Sequence, residues 1–243
     1  MHPIFFKIGP ITIYSYGVML AVAVMVCTYL LSRDAQYYDI SRDTAYDLVF
    51  WCMLGGIICA RIFYVYIEWG YFSDNLLEIP MLQKGGLAWQ GGFLGGTLAG
   101  VWFARRKKIS LRSLMDLAAP YVALGQSIGR IGCFFNGCCY GKPAAWGIYF
   151  PQHHARLYPT QLFETLALFI IFMILKKAQM RPHQPGFVFV LYLWLAAIER
   201  FVVEFYRADH DLLWLNLSLA QYIAICVFVS GLVLMKFVKK PLP

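Results

Sequence analysis

Residues 114–141 read LMDLAAPYVALGQSIGRIGCFFNGCCYG. The stretch opens as an apolar run over 114–135 and ends in an arginine, an asparagine and three cysteines set among glycines. A spanning helix needs about 20 mostly apolar residues, so the run places this part of the chain in a bilayer. Arg130 lies inside it, where a charge costs about 2.5–3.5 kcal/mol at a helix centre on insertion scales. The glycines let backbone and ligand approach closely. Such a cluster at a membrane boundary points to a site that handles a charged headgroup with thiols nearby.

The rest of the chain has the same character. Of its 243 residues 60% are hydrophobic and only 14% charged, where a soluble domain carries about 25% charge. Seven apolar segments are predicted as spans: about 14–31, 46–69, 86–104, 114–135, 157–175, 186–206 and 215–236. The expected fold class is an all-α polytopic membrane protein of about seven transmembrane helices with a small extracytoplasmic cap, one integral membrane domain over 1–243. The first segment lacks a basic start and a small-x-small cleavage site, and Arg33 follows it, so it reads as a span and not as a signal peptide.

The basic residues set an expected orientation. With the N-terminus outside, the inner side holds 13 of the 21 Lys and Arg, including the run Arg105 to Lys108 and the tail residues Lys236, Lys239 and Lys240. The outer side holds five, Lys7, Lys84, Lys142, Arg156 and Arg207, and Arg61, Arg130 and Arg200 fall inside apolar segments. The net charge of +8 therefore reports topology and contact with anionic lipid. No folded basic domain is present to read a nucleic acid.

Cys27, Cys52, Cys59 and Cys226 sit in apolar runs and read as small core residues. Cys133, Cys138 and Cys139 fall near the outer face, where a disulfide is permitted. A bond between adjacent Cys138 and Cys139 would be strained, so a link from Cys133 is the better candidate. Cys-x4-Cys-Cys is not a zinc spacing and His153-His154 is generic, so neither a metal nor a cofactor is expected. The third segment carries Gly91, Gly92, Gly95, Gly96 and Gly100, which flatten a helix face for close packing. The apolar N-terminal stretch Ile4 to Ile11 reads as an interfacial segment with a turn at Gly9-Pro10. Residues 140–159, with Pro143, Pro151 and Pro159, read as the cap, with a short strand at Gly147 to Phe150.

Among chemistry-bearing residues, Arg130 is either paired with Asp116 or Glu164 or is a guanidinium fork for a phosphate, which its planar geometry favours. Arg200 and Glu204 are four apart with Arg207 three further on, sharing a helix face. They read as a buried pair or as a second arginine wall for a phosphoryl group. Tyr16 and Gln90 lie near the outer ends of the first and third segments, and Arg61 reads as a supporting partner.

These residues together resemble the prolipoprotein diacylglyceryl transferase family. Its signature, Gly-Arg-x-Gly-Asn-Phe-x-Asn-x-Glu-x-x-Gly, is matched by Gly129, Arg130, Gly132, Phe134, Asn136 and Gly141. Ser15-Tyr16-Gly17, Gly91-Gly92, Asp116 with Ala119-Pro120, Pro159-x-Gln161-Leu162-x-Glu164 and Arg200-x-x-x-Glu204-Phe205-x-Arg207 follow the family's order. The resemblance implies a transferase of the bacterial cytoplasmic (inner) membrane. It would move the diacylglyceryl group of phosphatidylglycerol to the cysteine thiol of a lipoprotein precursor (its lipobox cysteine), releasing glycerol phosphate. It implies a catalytic group of Arg130, Arg200, Glu204, Cys138, Cys133, Gln90 and Tyr16, with Asn136, Gly141, Arg207 and Arg61 toward the substrate.

Three positions depart from the pattern. Cys133 stands for the signature Asn, Cys138 for the signature Glu, and Gln90 for a His proposed as general base. A glutamine cannot accept that proton, and a free thiol of pKa about 8.5 is only about 3% ionised at pH 7. A lost general base typically costs about 10²–10⁴ in rate. Two alternatives therefore stand beside the family reaction: a diverged paralogue whose Cys133 or Cys138 attacks phospholipid and serves another acceptor, and a membrane thiol oxidoreductase.

Overall fold

The computed structural model describes residues 1–8, 11–82, 85–208 and 213–238. The Gly9-Pro10 turn and Lys84, Lys239 and Lys240 lie outside the described residues. The chain is mostly helical, as an all-α membrane protein should be. Among the described residues, α1 (Ser15–Asp34), α2 (Arg42–Ile67), α4 (Trp89–Lys107), α5 (Leu111–Asn136), α6 (Thr160–Gln179), α7 (Phe187–Glu204) and α8 (Leu219–Val238) are the long helices, and α3 (Trp69–Phe72) is a single turn. Each long helix overlaps one of the apolar segments. Three of the helical stretches, Ser15–Tyr38, Arg42–Ile67 and Leu219–Val238, are long and apolar enough to cross a membrane. Only 22% of their apolar windows is buried within the protein. Apolar surface left outward on this scale needs an apolar surrounding.

Boundaries shift where local chemistry differs from hydropathy. Residues Ile4–Ile8 (β1) and Ile11–Tyr14 (β2) pair as an antiparallel hairpin. Branched and aromatic residues there favour a pleated strand over the flat interfacial segment expected. Ser15 then starts α1, its hydroxyl donating to the His2 carbonyl. The strand expected at 147–150 runs longer, Pro143–Phe150 (β3), and pairs antiparallel with Ala155–Leu157 (β4). Those strands and Pro159 delay α6 to Thr160. The 3₁₀ turn Trp214–Asn216, with Leu215 and Asn216 left-handed, delays α8 to Leu219.

The chain divides into two compact units. One, Ser32–Leu114, is built on α2 against α4. A Cβ at Gly91 would sit 2.6 Å from Phe63 Cβ, and one at Gly95 would meet Gly55 O and sit 2.7 Å from Cys59 Sγ. Gly92 has nothing nearer than 3.7 Å. On α4 the approach is therefore tightest along Gly91 and Gly95, and a Cβ at Gly96 would lie 3.3 Å from Cys52 O. Arg61, buried in this unit, donates to the carbonyls of Glu78 (2.7 Å), Ile79 (2.7 Å), Gly85 (2.6 Å) and Gly86 (2.9 Å). It holds Glu78, Ile79, Gly85 and Gly86 against α2.

The other unit contains Met1–Leu31 and Met115–Pro243. Its apolar core joins Ala119 and Ala123 of α5, Leu168, Ile171 and Leu175 of α6, and Val188 of α7. Asp116, fully buried, accepts from Gly186 N (2.6 Å) and Phe189 N (2.8 Å). It caps α7 from another helix and satisfies N–H groups that a helix start leaves open. Ser127 Oγ donates to Thr165 O (2.8 Å), tying α5 to α6 in mid-course.

These contacts set a measurable contrast. Gly95→Ala forces its new methyl into α2 and should cost about 1–3 kcal/mol. Gly92→Ala has room and should be neutral or slightly stabilising, since alanine is the better helix former. Thermal unfolding of both variants in detergent checks this; equal midpoints would contradict the packing described.

Candidate active site

The signature stretch ends α5 and turns back on itself. Asn136 is the last helical residue and Gly137 takes φ +78°, which glycine adopts without steric cost. Gly137 N and Cys138 N both return to Cys133 O, at 2.9 and 3.3 Å, closing the helix end in the usual left-handed manner. Two buried side chains at the start of α6 then hold the loop: Gln161 Nε2 donates to Cys138 O (2.6 Å) and Thr160 Oγ1 to Cys139 O (2.7 Å). Gly141, buried, bridges to Arg207, and a Cβ there would lie 2.6 Å from Tyr206 O. A side chain at 141 would separate the loop from the residues after α7.

Beside this loop lies a charged cluster. Glu164 of α6 is 1% exposed, and three arginines reach it. Arg130 Nε is 2.8 Å from Oε2, and Arg200 Nη1 (3.0 Å) and Arg207 Nη1 (3.3 Å) are on Oε1. Arg200 Nη2 also bonds Glu204 Oε2 at 2.9 Å, and Ser218 Oγ donates to Glu204 Oε1 at 2.7 Å. Three guanidiniums thus share two buried carboxylates, a formal excess of one positive charge. Arg130 and Arg200 remain 27% and 29% exposed while Arg207 is 8%. Two of the three can therefore meet a ligand.

The three cysteines beside the cluster are free and half-buried, with sulfurs within 4.8 Å of one another. Hydrogen bonds from the Cys133 and Cys138 thiols, then the guanidiniums of Arg207 and Arg130, push the Cys139 thiol below its ordinary value despite burial. Tyr16, exposed at the start of α1, packs on Gly132 one turn from Cys133's end of α5. Asn136 is exposed, and its carbonyl accepts from Gln152 Nε2 at 3.4 Å.

The structure therefore brings Arg130, Arg200, Glu204 and Arg207 together, with Cys133, Cys138, Tyr16, Asn136 and Gly141 around them. Arg61 and Gln90 belong to the other unit. Arg61 there is occupied with backbone carbonyls, and Gln90 is exposed in the first turn of α4. Of the two partners open to Arg130, it takes Glu164, since Asp116 is committed to α7. Glu164 is the hub of the site, although the sequence offers it only as one of two partners for Arg130. Its signal was a carboxylate inside an apolar segment. Glu199 carried no signal beyond its place before Arg200, yet its Oε1 is buried with no hydrogen-bond partner among the described residues.

The sequence model of the prolipoprotein diacylglyceryl transferases matches residues 3–237. The chain belongs to this family. It is similar to a phosphatidylglycerol–prolipoprotein diacylglyceryl transferase of Geobacillus kaustophilus, 35% identical over 95% of this chain and 90% of the relative. A transferase of the same name from Acaryochloris marina is 34% identical over 99% of this chain and 93% of the relative. One from Staphylococcus haemolyticus is 32% identical over 97% and 87%. The arginine–carboxylate cluster takes Arg130 from the signature stretch and its other members from the Pro159–Glu164 and Arg200–Arg207 motifs that carry the resemblance.

Removing the hub carboxylate should be costly. Glu164→Gln leaves three guanidiniums around a neutral amide, and breaking a buried pair this way costs about 3–5 kcal/mol. The expected outcome is a clearly lower unfolding midpoint in detergent. A midpoint equal to wild type would mean that the cluster does not hold α5, α6 and α7 together.

Proposed function

We propose that the chain transfers the diacylglyceryl group of phosphatidylglycerol to the cysteine thiol of a lipoprotein precursor and releases glycerol phosphate. The observation that carries this reading is the set of three arginines on Glu164, two of them partly exposed. Glycerol phosphate leaves as a dianion or monoanion, and donors fixed beforehand stabilise developing charge without reorganisation. Guanidinium suits that task better than ammonium because its planar fork matches phosphate oxygens. Glu164 and Glu204 keep the forks in place before substrate arrives. An apolar groove of about 250 Å³ between α7 and α8, lined by Ala197, Phe201 and Phe228 among others, gives acyl chains an apolar surface on the helix that carries Arg200.

The finer topology follows the same logic. Seven spans, the N-terminus outside and the C-terminus inside the cytoplasmic membrane of a bacterium, would put the end of α5 and the β3–β4 hairpin on the extracytoplasmic side, the hairpin forming the cap. The distribution of Lys and Arg supports this orientation. Catalytic parts are assigned to Arg130, Arg200 and Glu204 with Tyr16 and the thiols beside them. Arg207, Asn136 and Gly141 shape the substrate side, while Arg61 and Gln90 keep the parts that the family resemblance gives them.

Intact mass spectrometry tests the reading. Purified protein is incubated with phosphatidylglycerol and a precursor peptide bearing its cysteine. The expected product is the peptide with a diacylglyceryl mass added, and Arg130→Lys should slow its formation about a hundredfold, the lower end for loss of one charge-stabilising donor. No adduct on the peptide, with a known family member active in the same assay, would overturn the proposal. A lipid-derived mass on the protein itself, lost in Cys138→Ser or Cys133→Ser, would instead favour the covalent alternative.

A further inference from the structure

We propose that Cys133, Cys138 and Cys139 form a three-thiolate zinc site whose fourth position takes the acceptor cysteine of the transfer reaction. The inference rests on the transferase reading for its substrate but on the thiols' own geometry for the metal. Their three sulfurs lie within 4.8 Å of one another. Around a tetrahedral zinc with Zn–S bonds of about 2.3 Å, sulfurs stand about 3.8 Å apart, so closing on the ion needs only a side-chain adjustment. Among the described residues no fourth His, Cys, Asp or Glu joins the group. Three protein ligands with one position left is the pattern of a catalytic zinc, whereas structural sites close with four.

The linear spacing hides this arrangement. Cys133 is on the last turn of α5, and Gly137 reverses the chain so that the next two residues return over the helix end. Consecutive side chains ordinarily point apart. Cys139 has φ +62°, a conformation that non-glycine residues seldom adopt. This turns its thiol to the same side as that of Cys138. The bonds from Gln161 and Thr160 to the two cysteine carbonyls hold the loop in that shape. A disulfide would use two of the sulfurs and leave no reason for the third. Zinc uses all three, has no redox chemistry of its own, and suits thiolate ligands.

The reaction gives the metal its task. S-alkylation needs the acceptor sulfur as a thiolate, and the two carboxylates of the arginine cluster are poor bases for that proton, which leaves Glu199 as the competing base that the test below separates. Glu164 is held by three arginines, and Glu204 by Arg200 and Ser218. A thiol that coordinates zinc is deprotonated outright. The acceptor S–H proton passes to water as sulfur takes the fourth position. That sulfur then forms a C–S bond to the glyceryl carbon bearing the phosphate. The C–O bond breaks, and its electron pair leaves with glycerol phosphate, whose charge Arg130 and Arg200 meet. The product is a neutral thioether, a weaker ligand than thiolate, so it leaves and the site is restored. Zinc is neither oxidised nor reduced.

The test uses tag-free, full-length protein in detergent, reduced, stripped with a chelator and reloaded with zinc alone. Expected are about one zinc per chain in the wild type and in Cys226→Ser, whose thiol lies on α8, and its loss in Cys133→Ser, Cys138→Ser and Cys139→Ser. Cobalt in place of zinc should give the visible bands of a tetrahedral thiolate site, and they should shift on adding the cysteine peptide but not its serine counterpart. Transfer should fall about a hundredfold without zinc, as for a lost general base, and return on reloading. Wild-type protein that holds no more zinc than the three serine variants overturns the site. So does zinc-free protein that transfers at the loaded rate, and abolition of that zinc-free activity by Glu199→Gln would name the carboxylate base instead. Cobalt bands that respond to the peptide without any transfer, while a known family member transfers in parallel, overturn the transferase reading and leave the metal site standing.

Discussion

A carboxylate buried in an apolar helix cannot remain charged alone, and the fold around Glu164 follows from that constraint. Desolvating one ion costs several kcal/mol even after relaxation. The compensation comes from three directions: Arg130 at the end of α5, Arg200 near the end of α7, and Arg207 just beyond it. Arg130 and Arg200 are in turn too costly for their apolar runs without the carboxylate. The charges therefore fix the helices that carry them, and the helices fix the charges. Such mutual dependence is a poor source of net stability but a strong source of geometry. Geometry is what a phosphate site requires.

Asp116 makes the complementary point. It too is a buried acid in α5, yet it takes no arginine. Its oxygens accept the N–H groups of Gly186 and Phe189 and so begin α7. One carboxylate secures the start of α7 and the other secures its far end through Arg200. Between them the apolar core of Ala119, Leu168 and Val188 only has to fill space. α7 is thus held in register at both ends by polar contacts, and its middle is free to turn Ile198 and Val202 outward.

Much of this was legible in the sequence. The apolar runs located the long helices because length and hydropathy leave few alternatives in lipid. Arg130, Arg200 and Glu204 stood out because charges in such runs demand a reason, and Arg207 because its spacing puts it on the helix face of Arg200 and Glu204. The partner of Arg130 was not legible: Asp116 and Glu164 are equivalent as letters, and only the approach of α7 commits the first. The N-terminal hairpin was obscured because Ile4 to Tyr14 is apolar on both faces, so hydropathy reads it as a surface segment while its branched residues favour pairing. The convergence of the thiols was hidden for a different reason. Spacing rules for metal sites assume the common turns, and Cys133, Cys138 and Cys139 converge only because Gly137 and Cys139 both take left-handed backbone.

The charged cluster and the thiol cluster answer opposite needs with the same stretch of chain. Arginines paired to carboxylates are hard, fixed and suited to an anion that must leave. Sulfurs are soft and suited to a nucleophile that must arrive. Placing Arg130 three residues before Cys133 puts the two one helical turn apart on α5. Gln161 and Thr160, one turn before Glu164 on α6, hold the loop that carries the other two thiols. A displacement reaction needs its entering and leaving groups on opposite sides of one carbon. Two adjacent helices that each contribute to both clusters keep those sides in register, so a shift of either helix would disturb both.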